Sequence, residues 1–124
     1  MAGRRSTPPE VAGWKDQGMS FARICPAHTV AKGEVVSAAV AGTQIALIHA
    51  DDGNFYAVHD ECSHANIPLS EGEVQGCTLE CWLHGSRFDV RTGRPTGPPA
   101  TEPVPVYPVE VRGGDVYVNP VPAR

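Results

Sequence analysis

Two short motifs in this chain carry chemistry. Cys62-Ser63-His64 reads C-x-H and Cys81-Trp82-Leu83-His84 reads C-x-x-H, with sixteen residues between His64 and Cys81. Each motif offers one thiolate and one imidazole, soft and borderline donors suited to zinc or to iron–sulfur chemistry. A Cys2His2 zinc finger usually gathers both cysteines at one end and both histidines at the other. Here each end is mixed. Two facing loops of this kind can place their cysteines on one metal and their histidines on a second, which suits a two-metal cluster with differentiated irons. A single zinc ion, or four residues buried for ordinary packing reasons, are the competing readings.

Something must hold the two motifs face to face. The chain has 124 residues, with 13 Gly and 12 Pro. That is the size of one domain, and so much punctuation disfavours long helices and favours short strands joined by turns. Phe21–Cys25 is a strand candidate. Glu34–Ala41 and Thr43–Ala50 flank Gly42 as a hairpin, and Asp51-Asp52-Gly53-Asn54 is a strong turn signal. Residues 55–59 alternate, with Phe55 and Ala57 on one face and Tyr56 and Val58 on the other. Residues 60–90 break the pattern. Thr92-Gly93 turns the chain and Gly97-Pro98-Pro99 forms a stiff loop. Val104–Val111 is extended, but Pro105 and Pro108 cannot donate to a ladder, which assigns it to an edge. Gly113-Gly114-Asp115 turns it back into Val116–Val118. About seven short strands without a credible helix make an all-β sandwich or small barrel.

The formal charge of −4 argues against nucleic acid as a partner. Its distribution says more. Residues 51–89 carry eight carboxylates against Arg87 alone, a net of −7, while the rest of the chain sums to +3. Such a face is either simply solvated or a docking surface for a basic partner. No apolar run reaches the roughly 20 residues of a membrane span. Arg4-Arg5 is followed by Pro8, Pro9, Glu10, Lys15 and Asp16 rather than by an apolar segment. Residues 1–17 therefore read as a flexible tail, not a signal peptide, and residues 18–120 as a single domain in a soluble, cytoplasmic protein. In that compartment four cysteines point to metal binding before disulfides. Cys25 and Cys77 are assigned to packing, as are His28, His49 and His59 to strands or surface.

With the ligand motifs set in their Gly- and Pro-rich context, the chain resembles a known family. The stretch Cys62-Ser63-His64, Leu69-Ser70-Glu71-Gly72, Glu80-Cys81-Trp82-Leu83-His84-Gly85-Ser86-Arg87-Phe88-Asp89, Thr92-Gly93 and Gly97-Pro98-Pro99-Ala100 is similar to the Rieske-type [2Fe-2S] ferredoxins, small bacterial proteins that feed electrons to non-haem iron oxygenases. The resemblance spans roughly residues 20–119. It implies an antiparallel β-sandwich with a small cluster-binding subdomain inserted at about residues 60–90. One [2Fe-2S] cluster would have Cys62 and Cys81 on the inner iron and His64 and His84 on the outer, nearly exposed iron. The segment holding Pro98 and Pro99 resembles the loop that covers one side of the cluster.

The resemblance also frames the surroundings of the cluster. Formal charges sum to zero for the oxidised cluster with two thiolates and two neutral imidazoles, so adding an electron costs less than in an all-cysteine cluster. High-potential relatives add a disulfide between the loops, where this chain has Ile67 and Leu83. They also hydrogen-bond sulfur from a Ser and a Tyr. Ser86 matches the first, but Phe88 replaces the second. These features place the potential near the low end of a range of roughly −150 to +300 mV. Trp82 departs from the family, which commonly has Pro there. It either packs over its loop or is an exposed docking contact.

The remaining sequence excludes other roles. No histidine follows His84 to build a mononuclear iron site, and no Gly-rich dinucleotide fingerprint follows a strand. The expectation is an electron carrier, not itself an enzyme, between a flavin-dependent NAD(P)H reductase and a ring-hydroxylating type of oxygenase. The alternative is a redox accessory or sensor associated with iron–sulfur cluster assembly.

Overall fold

The computed structural model describes residues 21–63, 67–83, 85–98 and 100–122. The proposed tail at 1–17 lies outside these residues, as do His64, His84 and Pro99. Ten strands run in the order β1 (Ala22–Pro26), β2 (Val35–Val40), β3 (Thr43–His49), β4 (Phe55–His59), β5 (Glu73–Gln75), β6 (Thr78–Glu80), β7 (Arg87–Asp89), β8 (Val106–Tyr107), β9 (Val109–Arg112) and β10 (Asp115–Val118). Single 3-10 turns at Ala27–Thr29 and Leu69–Glu71 are the only helical elements among the described residues.

The strands form three antiparallel sheets, ordered β1-β10-β9, β2-β3-β4-β8 and β5-β6-β7. The middle sheet is a wall between two cores. On β3, Ile45, Ala46, Leu47 and Ile48 are all fully buried, because successive side chains point to opposite faces and both faces are covered. Ile45, Leu47 and Ala57 pack with Val116 and Val118 of the first sheet. Ala46, Ile48 and Val58 pack with Leu79, Phe88 and both motif cysteines on the other side. The expected alternation of 55–59 matches this division: Ala57, with Phe55 against it, serves the first core, and Val58, with Tyr56, the second.

The β2–β3 hairpin turns through Ala41 and Gly42, both with positive φ (51° and 81°), as a two-residue turn matched to strand twist requires. Two expectations need correction. Val104–Val111 is not one edge strand. It divides at Pro108 into β8 and β9, which join different sheets as edges. Pro108 has no N–H to continue a ladder, and its carbonyl instead accepts the Asn119 N–H at 3.0 Å. Residues 60–90, which lack a readable pattern, nevertheless hold the third sheet, and this raises the count from about seven strands to ten among the described residues.

Candidate metal centre

Each motif cysteine begins a small loop closed by backbone hydrogen bonds. The Cys62 N–H donates to the Ile67 carbonyl at 2.9 Å, closing residues 62–67. The Cys81 N–H donates to the Ser86 carbonyl at 2.7 Å, and the Gly85 N–H returns to the Cys81 carbonyl at 3.0 Å. Gly85 holds φ +77°, a conformation that suits a residue without Cβ. The second loop is the connection between β6 and β7, so the ladder of the small sheet sets its width. The first loop follows β4 through Asp60. That carboxylate is buried and accepts both the N–H and the hydroxyl of Ser70, each at 2.7 Å, which anchors the return of the loop.

Cys62 is 3% exposed and Cys81 is 0% exposed. Both belong to one apolar core with Leu69, Leu79, Phe88, Val90 and Ala100, and both are free of disulfide bonds. The third segment around the site is fastened to both loops. The Ser63 hydroxyl donates to the Glu102 carbonyl at 2.6 Å, and the Ala100 N–H donates to the Ser86 hydroxyl oxygen at 3.1 Å. Ser86 is fully buried. Because its oxygen acts here as acceptor, its own O–H remains as a donor. Phe88 is fully buried, Pro98 is exposed, and Trp82 is 52% exposed and Leu83 39%.

Among the described residues no group of three or more His, Cys, Asp or Glu gathers into a metal site. The structure therefore brings Cys62 and Cys81 into one core, while the motif histidines, His64 and His84, lie outside the described residues. The donor chemistry fits an iron–sulfur group: two soft thiols, shielded from water, at the heads of two narrow loops.

The residues set aside by sequence are accounted for by packing. Cys25 packs against the first core and Cys77 against the second. Desolvation, with the Asp52 carboxylate nearby, pushes the Cys77 thiol up from its ordinary value, which keeps it protonated and poorly nucleophilic. The His49 ring stacks on Phe55 with centroids 4.1 Å apart, and its Nδ1 meets the Val30 carbonyl at 2.8 Å. His59 lies 3.4 Å from the Tyr107 hydroxyl and 3.5 Å from a Glu61 carboxylate oxygen.

Sequence reasoning missed the Asp60–Ser70 anchor and the Ser63–Glu102 tie; a nearby acid is the expected partner of Arg87, and it is Glu80 across the β6–β7 ladder at 3.0 Å. The first two have no local signal, since their partners are 10 and 39 residues apart. Which acid Arg87 takes becomes visible only once the β6–β7 register is known.

Comparison with known proteins agrees with this geometry. The Rieske [2Fe-2S] domain family matches residues 20–108. The chain is 38% identical over 102 residues to the biphenyl dioxygenase ferredoxin subunit of Pseudomonas sp. (strain KKS102), covering 82% of this chain and 93% of that relative. It is 41% identical over 96 residues to the 3-phenylpropionate/cinnamic acid dioxygenase ferredoxin subunit of Escherichia coli (strain K12), covering 77% and 89%. Among solved structures it is similar to a chain in the complex of reduced oxygenase and oxidized ferredoxin in carbazole 1,9a-dioxygenase. There the TM-score is 0.79 and the identity 35%, with 84% of this chain and 96% of that one covered. With two shielded thiols at the heads of two loops in one core and a family match over residues 20–108, the chain belongs to the Rieske [2Fe-2S] domain family, which binds one [2Fe-2S] cluster, and is a ferredoxin of the kind found in ring-hydroxylating dioxygenase systems.

Proposed function

We propose that Cys62, His64, Cys81 and His84 hold the cluster, with the thiolates on the inner iron and the imidazoles on the outer. We infer that the chain carries single electrons from a flavin-dependent NAD(P)H reductase to the non-haem iron oxygenase of a ring-hydroxylating system. The observation that carries this reading is the placement of two buried cysteines from separate loops, with no disulfide between them, in one apolar core. When bound, the cluster takes up and gives back one electron at a time. The protein's own residues supply the rest. Leu69, Leu79 and Phe88 keep water from the cysteine side. Ser86 offers a hydroxyl proton within the buried region. Ala100 and Glu102, which follow the proline pair in sequence, tie that part of the chain to both loops.

Residues 18–120 act as one domain, with the cluster-binding part at about 60–90, and the protein works in the cytoplasm. No helix among the described residues is long and apolar enough to cross a membrane. Similarity to dioxygenase ferredoxin subunits favours the carrier over an accessory of cluster assembly. Contacts with reductase and oxygenase are brief, in keeping with small redox interfaces. The acidic stretch at 51–89 steers basic partners.

Reconstitution tests the reading. The holoprotein is combined with NADH, a flavin-dependent reductase and, in turn, the terminal oxygenases of the biphenyl and 3-phenylpropionate dioxygenase systems. The expected result is substrate oxidation that depends on this chain. A cluster-loaded protein that supports turnover by neither oxygenase contradicts the reading.

A further inference from the structure

The strands that lead into and out of the second ligand loop end in an ion pair. Glu80 and Arg87 are register partners at the last position of the β6–β7 ladder. The next backbone contact is the 2.7 Å bond from the Cys81 N–H to the Ser86 carbonyl. The pair therefore stands at the neck of the loop that carries Cys81. Arg87 Nη2 lies 3.0 Å from Glu80 Oε1, and the side chains are 35% and 28% exposed, respectively. The second carboxylate oxygen of Glu80 reaches toward Gly85, 3.5 Å from where a Cβ on that glycine would stand. The other guanidinium nitrogen, Arg87 Nη1, is buried and has no acceptor among the described residues.

These facts are hard to explain as fold stabilisation alone. A partly exposed cross-strand pair contributes little to stability, whereas a buried N–H without an acceptor is unfavourable. Arg87 is also the only cation among the eight carboxylates of residues 51–89. A fixed positive charge beside a centre that gains an electron favours the reduced state, and a carboxylate disfavours it. Partial burial weakens the screening by salt and water.

We propose that the Glu80–Arg87 pair sets how readily the cluster accepts its electron, with Arg87 holding the midpoint potential up and Glu80 holding it down. The inference rests on the reading that Cys81 is a cluster ligand. Arg87 acts through the field at the neck of the loop.

The test is a redox titration of holoproteins, followed by visible absorbance, with electron paramagnetic resonance to verify unchanged ligation. Arg87→Gln lowers the equilibrium constant for reduction by about threefold to tenfold, a fall of roughly 28 to 59 mV at about 59 mV per decade for one electron. Glu80→Gln raises it by a similar factor. Arg87→Lys, which keeps the charge, stays within about twofold of the parent. A purely structural pair moves both neutral variants in the same direction or neither of them. Shifts of the same sign, or any pattern other than opposite shifts with Lys near the parent value, overturn the proposal. Should Arg87→Gln fail to retain a cluster, a rise for Glu80→Gln with Arg87→Lys at the parent value supports it, and anything else overturns it. A parent protein that assembles no cluster defeats the ligand reading itself, which separates the two failures.

Discussion

At the scale of single residues, the site depends on a few atoms with little freedom. Ser86 is fully buried and its hydroxyl oxygen takes the Ala100 N–H at 3.1 Å. Ser86→Ala leaves that N–H without its acceptor, at a cost of about 1–3 kcal/mol. It also removes the hydroxyl proton available to a cluster sulfur, so the midpoint falls, because such donors stabilise the more negative reduced state. Thermal melts and a redox titration check the two effects together, and a midpoint that stays or rises contradicts the assigned donor. Trp82 is more than half exposed, which favours docking over packing as its role. Trp82→Ala is expected to keep the visible spectrum of the cluster while raising KM for the oxygenase about tenfold or more, as for an aromatic hot spot. Loss of the cluster in that variant assigns Trp82 to packing instead.

At the scale of elements, the small sheet depends on one close approach within itself and on one junction with the wall. A Cβ on Gly72, just before β5, would overlap the carbonyl oxygen of Glu80. The close approach of these backbones sets the strand end that delivers Cys81. Gly72→Ala is expected to cost about 1–3 kcal/mol through overpacking and to lower cluster occupancy, read as iron per protein. Full occupancy in that variant counts against the close approach. The junction with the wall lies at the β3–β4 turn. The Asp51 N–H meets the Gly76 carbonyl at 3.2 Å, and the Gly76 N–H meets the Asp51 carboxylate at 3.1 Å. Beside it, the Tyr56 hydroxyl donates to Asp52 at 2.6 Å. That bond holds the Asp52 carboxyl below its usual range and pushes the Tyr56 hydroxyl above its own. A carboxylate with a depressed folded pKa stabilises the fold above its ordinary value near 3.9, and the gain is lost as pH falls through the lower, folded value. The raised Tyr56 value acts in the opposite sense, its contribution being present below about pH 10 and lost above the folded value. Melting temperature should therefore decline less steeply below about pH 4 in Asp52→Asn than in the parent. Parallel curves would show that the bond contributes nothing.

At the scale of the whole molecule, the reading from sequence succeeded where the signal was local. The period of two in residues 55–59 gave the right faces, because β4 lies in a sheet with a core on each side. The two motifs stand out because a thiol and an imidazole fall within two or three residues of each other, and the structure brings their cysteines into one core. The third sheet was not, since each of its strands is three residues long with a single apolar residue, Val74, Leu79 or Phe88, between polar neighbours. No periodicity can be read from three residues. The ties that hold the site, Ser63 to Glu102 and Glu80 to Arg87, depend on register between distant segments, and a single sequence does not reveal register. The resulting architecture assigns separate tasks to the two sides of the middle sheet. One core makes the scaffold and the other receives the cysteines.

The most direct test of this account is electron paramagnetic resonance of the dithionite-reduced holoprotein, alongside the same measurement on His64→Cys and His84→Cys. The expected result is a single [2Fe-2S] signal whose average g value lies below that of an all-cysteine cluster, and a shift toward the all-cysteine value, or loss of the signal, in either variant. A spectrum of the all-cysteine type in the parent protein, or one indifferent to both substitutions, would contradict it.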